Sequence, residues 1–133
     1  MTLVAVSGTP RAERGAAVVD FVLVSVLLTA IFLALVQLGL VLHVRNTLIS
    51  CASEGARAGA RADALPGEAE ARTRSLVGAS LSERYARSVR ARESTVSGVR
   101  VVEVEVVAPL PVLGLLGPEG RLGVVGRAFR EDQ

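Results

Sequence analysis

From Phe21 to Val44 the chain carries no fixed charge, and seventeen of those twenty-four positions are Leu, Ile, Val or Phe. An α-helix needs about 20 apolar residues to cross a hydrocarbon core about 30 Å thick. At roughly −0.3 to −0.6 kcal/mol for each central aliphatic residue, insertion is favoured by several kcal/mol. Ser25, Thr29 and Gln37 weaken that balance without reversing it, and a Ser or Thr hydroxyl can bond back to its own helix. The pattern predicts a transmembrane helix over residues 21–44. A cleaved secretory signal has a shorter apolar region, about 7–15 residues, ending at a small-residue site. Here the small residues Ala56–Ala60 lie well beyond the apolar end. Arg11 and Arg14 precede the span and Arg45, Arg57 and Arg61 follow it, so arginine counting does not orient it.

No proline occurs between Pro10 and Pro66, which lets the helix continue beyond the membrane. A helix from Ala16 to Asp63 would be about 72 Å long. Its outer part carries Ala52, Ala56 and Ala60 four residues apart, with Gly55 and Gly59 repeating the spacing beside them. Such a band of small side chains lets another backbone approach closely. Leu65-Pro66-Gly67 breaks the helix. Residues Glu68–Glu93 predict a second helix, with Val77, Leu81, Tyr85 and Val89 as one apolar stripe. Its arginines form a solvated face or touch anionic lipid.

A turn is predicted over Ser94–Gly98. In the following run Val102, Val104 and Val106 alternate with Glu103 and Glu105, the pattern of a strand with one buried and one solvated face. Ala108–Gly120 reads as an apolar Pro/Gly loop, residues 121–129 as a second short strand and the last four residues as a tail. Two strands alone are marginal in water and need a helix over their apolar face. The expected fold class is α+β: a long N-terminal transmembrane α-helix extending outside the membrane, a second helix and a small C-terminal β-hairpin or sheet. The expected organisation is a leader (1–15), the long helix (16–64, span 21–44) and a small α+β domain (65–133).

Half of the 133 residues are hydrophobic but only 3% are aromatic, so the core must be aliphatic. The net charge of +2 makes no case for nucleic acid, and every basic residue is arginine. Cys51 is the single cysteine, which excludes an intrachain disulfide. With His43 as the sole histidine, no metal site is expected. His43 and Cys51 would stand about 12 Å apart along one helix, too far for a catalytic pair. No phosphate-binding glycine loop and no credible carboxylate pair is present, so neither catalytic residues nor a cofactor is expected.

The most specific feature is the stretch "RAERGAAVVDF", Arg11–Phe21, at the start of the apolar run. A charged leader ending in glycine, then small and aliphatic residues, an acid and an aromatic, resembles a prepilin of the type IV pilin family. "ERGAAVVDF" is most similar to TadE-like proteins of tight-adherence (Flp-type) pilus systems, and "ASEGARAGARA" is similar to the alanine-rich stretch they carry after the membrane helix. Asp20 stands where the family usually has Glu, and a proline common early in its apolar segment is absent.

The resemblance implies a pilin-like minor pilin or pseudopilin, cut between Gly15 and Ala16 by a membrane prepilin peptidase. Asp20 would be the fifth residue of the mature chain and Phe21 the sixth. Cleavage would create a cationic amino group on Ala16, which the Asp20 carboxylate could meet on its own helix or a neighbouring one. The partners implied are membrane lipid, the prepilin peptidase, other pilins or pseudopilins and the pilus assembly platform. The leader would be cytoplasmic and the C-terminal domain extracytoplasmic. Two other readings of the residues stand beside this one: an uncleaved single-pass anchor or regulatory protein, and a secreted binding protein released after Ala60.

Overall fold

The computed structural model describes residues 10–111 and 120–131. It divides into two units, Met1–Val36 and Gln37–Gln133. One helix, α1 (Pro10–Ala60), runs through the boundary. It starts six residues before the predicted Ala16, at a proline, which suits a first helical turn. Within the first unit its side chains from Arg11 to Val36 are exposed, except a half-buried Ser25. Val22, Leu23, Leu27, Phe32 and Leu35 are among the large apolar groups left uncovered. This is the pattern of a helix whose apolar surround is something other than its own chain.

The second unit contains the rest of α1, then α2 (Glu68–Ser80), a 3₁₀ turn (Glu83–Ala86), and strands β1 (Ser88–Val96), β2 (Val99–Pro109) and β3 (Arg121–Phe129). The strands form one antiparallel sheet in the order β1-β2-β3. Val44, Leu48, Cys51, Ala52, Ala56 and Ala60 of α1 are buried in its core, at steps of three and four that keep them on one helical face. Val102, Val104, Val106 and Ala108 of β2 supply the facing layer, joined by Val89, Val124, Ala69, Val77 and Tyr85. Apart from Tyr85 the core is aliphatic, in keeping with a chain that is 3% aromatic.

Its connections satisfy the backbone locally. The carbonyl of Ala60, last in α1, accepts the Glu131 N–H at 2.9 Å. Gly67 enters α2 at φ 82°, and the Glu68 carboxylate accepts the Leu65 N–H at 2.9 Å. A two-residue hairpin joins Val96 to Val99, with both Ser97 (φ 53°) and Gly98 (φ 83°) left-handed, the combination that matches strand twist.

The predicted second helix ends early. Helix α2 stops at Ser80, and residues 88–96 pair with β2 as a third strand. The four-residue spacing of Val77, Leu81, Tyr85 and Val89 is therefore spread over helix, turn and strand, although Val77, Tyr85 and Val89 are all buried. From Ser88 onward the alternation of Val89 and Ala91 with Arg90 and Arg92 suits a strand, and the Val-rich β2 supplies the hydrogen-bonding partner that decides it. The exposed edge of β1 is closed by α2: the Glu70 carboxylate accepts the Ala91 N–H at 3.0 Å, and Arg74 donates to the Val89 carbonyl at 3.0 Å. Strands β2 and β3 match the two predicted runs, and β2 extends into the predicted loop as far as Pro109. The centre of that loop, 112–119, lies outside the described residues, as do most of the leader and the end of the tail.

Candidate functional site: the N-terminal motif and the small-residue face

Gly15, Ala16, Asp20 and Phe21 all lie on the exposed N-terminal part of α1. Ala16 and Asp20 are one helical turn apart, about 6 Å along the axis. A Cβ built on Gly15 would meet nothing within 4 Å, so the space beside Gly15 is open. Phe21 is 73% exposed, and its carbonyl accepts the Ser25 hydroxyl at 2.8 Å. The Thr29 hydroxyl bonds the Ser25 carbonyl at 2.8 Å in the same way. The hydroxyls of the apolar run are thus satisfied inside the helix, as a lipid surround demands. One helix among the described residues is long and apolar enough to cross a membrane, and it is α1.

The small-residue face is occupied from within the chain. A Cβ on Gly55 would overlap Thr73 Oγ1 and lie 2.8 Å from the Ala69 carbonyl oxygen; one on Gly59 would lie 2.5 Å from Ala69 Cβ. Gly55 and Gly59 therefore seat α2. Thr73, buried at this crossing, turns its hydroxyl to the Ala69 carbonyl at 2.7 Å. On the adjoining line Ala52, Ala56 and Ala60 are buried, and Gly126 of β3 lies against Ala52 and Ser53. A Cβ at Gly126 would overlap the α1 backbone there. The band lets two backbones approach, and here they are α2 and β3. The partner glycine, Gly126, has no spacing signal that would single it out in the sequence.

A carboxylate cluster on the outer face of the sheet also departs from expectation. Arg92, Glu103 and Arg127 stand in register across β1, β2 and β3. Arg127 Nε lies 2.6 Å from Glu103 Oε1 and Arg92 Nε 2.8 Å from Oε2, so each oxygen has its own guanidinium. The two exposed arginines roof the acid over, leaving Glu103 only 4% exposed. Hydrogen bonds from Arg127 and then Arg92 hold its carboxyl below the ordinary glutamate value, against the opposing effect of burial. Glu103 is therefore a clamped acid rather than a solvated one, while Glu105 is exposed. The cross-strand placing of Arg92 becomes visible only once β1 is recognised as a strand.

Cys51 and His43 do not form a site. Cys51 is buried and His43 is exposed. Burial pushes the Cys51 thiol up, against a smaller lowering effect of the Ser80 hydrogen bond. Among the described residues no group of three or more His, Cys, Asp or Glu side chains is placed to hold a metal ion.

Residues 15–57 match the family model described as TadE-like protein. No curated protein and no solved structure matches the chain. The matched segment begins at Gly15, includes Asp20 and Phe21, and runs through the apolar helix to the small-residue face at Gly55 and Ala56. Over residues 15–57 this chain is similar to the TadE-like family, and the match takes in the exposed apolar helix and the packed face as far as Gly55 and Ala56.

Proposed function

We propose that the chain is a membrane-anchored minor pilin or pseudopilin of a tight-adherence pilus system, cut after Gly15 by a prepilin peptidase. The observation that carries this reading is the coincidence of the TadE-like segment with a bare, apolar N-terminal helix bearing Asp20 one turn beyond Ala16. The helix anchors the chain with its leader in the cytoplasm and its small domain outside. The new Ala16 amino group and the Asp20 carboxylate, on the same or neighbouring helices, offset each other's desolvation in the membrane. The protein acts by assembling with other pilins or pseudopilins and the assembly platform, without catalysing a reaction.

The test is complementation of a deletion strain with wild type or Asp20→Ala, scored by surface pili and by membrane content of the protein. The reading expects Asp20→Ala to reach the membrane in normal amount and to support far fewer pili. Wild-type piliation by Asp20→Ala would refute the role given to the carboxylate.

A further inference from the structure

The register fixes which backbone groups of β3 are in use. Arg130 N–H bonds the Arg100 carbonyl at 3.0 Å and Leu110 N–H bonds the Gly120 carbonyl at 3.1 Å. The even-numbered residues of β3 therefore exchange hydrogen bonds with β2. The N–H and C=O groups of Gly123, Val125 and Arg127 point the other way, along the outer edge of the sheet, and have no partner among the described residues. At the opposite edge the corresponding groups of β1 are satisfied: Glu70 accepts the Ala91 N–H and Arg74 donates to the Val89 carbonyl. One edge is closed by α2, and the other is a nine-residue strand without proline or a covering side chain from the described residues.

The open stretch stands clear of the neighbouring chain. Residues 112–119 are tethered at both ends beside Gly120, so they reach at most about 16 Å from it. Arg127 and Phe129 lie about 23 and 30 Å along the strand. Beyond β3, Glu131 bonds the Ala60 carbonyl, which draws the chain toward α1 on the inner face.

The side chains say what the edge would take. On the outer face Val125 and Phe129 are 43% and 69% exposed, with Arg127 between them. Across the used edge, β2 sets Glu105, Glu103 and Val101 against these three residues. Arg127 gives its Nε to Glu103, but a guanidinium carries five N–H donors and this one is still largely exposed. On the inner face Leu122 and Ala128 are only half-buried at the margin of the core. A second copy of the chain is a poor match, because its β1 edge is closed and its β3 carries two arginines and no acid.

We propose that the outer edge of β3 is a docking site for an extended strand of another protein, aliphatic on most positions and with a carboxylate set against Arg127. Main-chain hydrogen bonds to Val125 and Arg127 hold the strand, and its side chains cover Val125 and Phe129 on one face and Leu122 and Ala128 on the other. The proposal stands on the small domain alone, so it can fail with the prepilin reading intact, and the reverse.

The probe is a synthetic peptide with the sequence of Arg100–Ala108, the alternation that β3 already accepts on its other side. It is added at millimolar concentration to the full chain in detergent, and amide exchange is followed by NMR. Exchange at Gly123, Val125 and Arg127 should slow by about tenfold or more, and a peptide with glutamine in place of both glutamates should bind about tenfold more weakly. Val125→Pro removes an outward N–H without touching the bonds to β2, and Val125→Lys leaves the backbone whole but sets a second cation beside Arg127. Each should weaken binding by about tenfold, and the lysine variant decides the matter if the proline variant does not fold. Unchanged exchange in wild type, or equal binding by wild type and Val125→Lys, overturns the docking site. Protection of these three amides without peptide also overturns it: protection that grows with protein concentration assigns the edge to a second copy, and protection at every concentration shows that the edge is already covered.

Discussion

Replacing Gly126 with alanine tests how closely α1 and the sheet are packed. The added methyl group would overlap Ala52 C and Ser53 N and stand 2.6 Å from the Ala52 carbonyl oxygen, whereas ordinary contact begins at 3.4 Å. These are backbone atoms in the middle of a helix, so no side chain can rotate away. Relieving the carbonyl contact alone needs a retreat of α1 from β3 by about 0.8 Å, and the tighter overlaps with Ala52 C and Ser53 N need more, which opens the close packing around Leu48, Ala52 and Ala56. Overpacking of this kind costs about 1–3 kcal/mol, and a rigid obstacle places Gly126→Ala at the upper end. Gly126 is not among the positive-φ glycines, so backbone strain adds nothing to the estimate. Gly123→Ala, on the opposite face of the same strand, meets nothing within 4 Å. It should be neutral or stabilising by up to about 1 kcal/mol, through the reduced entropy of the unfolded chain. Because the chain has one tyrosine and no tryptophan, the buried Tyr85 alone reports urea unfolding of the detergent-solubilised protein by fluorescence. With a slope of about 1–1.5 kcal/mol per molar urea, Gly126→Ala should lower the midpoint by about 2 M. Midpoints within about 0.3 M of each other for the two alanine variants would refute the packing argument.

Glu103 and Cys51 give two further predictions. The carboxyl of Glu103 titrates below its ordinary value of 4.5 in the folded protein, so its stabilising contribution is complete above that value and is lost as pH falls towards the lowered one. The urea midpoint of wild type should therefore drop more between pH 7 and pH 3.5 than that of Glu103→Gln, and equal drops would show that the arginine clamp contributes nothing. Cys51 is buried with its thiol pushed up, so a thiolate-directed reagent at pH 8 should label the folded protein far more slowly than the urea-unfolded one. Equal labelling rates would contradict the packing of α1 against α2.

The elements with strong periodicity were legible in the sequence. The uninterrupted apolar run and the absence of proline announced α1, and the alternation around Val104 announced β2. The segment 81–93 was not, because its apolar residues fit a four-residue repeat up to Val89 and a two-residue repeat after it. Ser97-Gly98 carried the missing information: a two-residue turn of this type before one strand implies another strand ahead of it. The N-terminal motif was legible because its residues are consecutive. The alternation in sequence places Glu103 on a solvated face, whereas its burial comes from Arg92 and Arg127, eleven and twenty-four residues away, meeting over it only once three strands are in register. The small-residue band was visible at four-residue spacing, but what it receives, α2 on one line and Gly126 on the other, depends on tertiary approach.

The proposed processing of the chain is tested most directly by the identity of its first residue in native membranes. Mass spectrometry of the N-terminal peptide, from cells with an active prepilin peptidase, should find a mature chain beginning at Ala16. A chain that still begins at Met1 or Thr2 in those cells would contradict prepilin processing and leave an uncleaved single-pass anchor in its place.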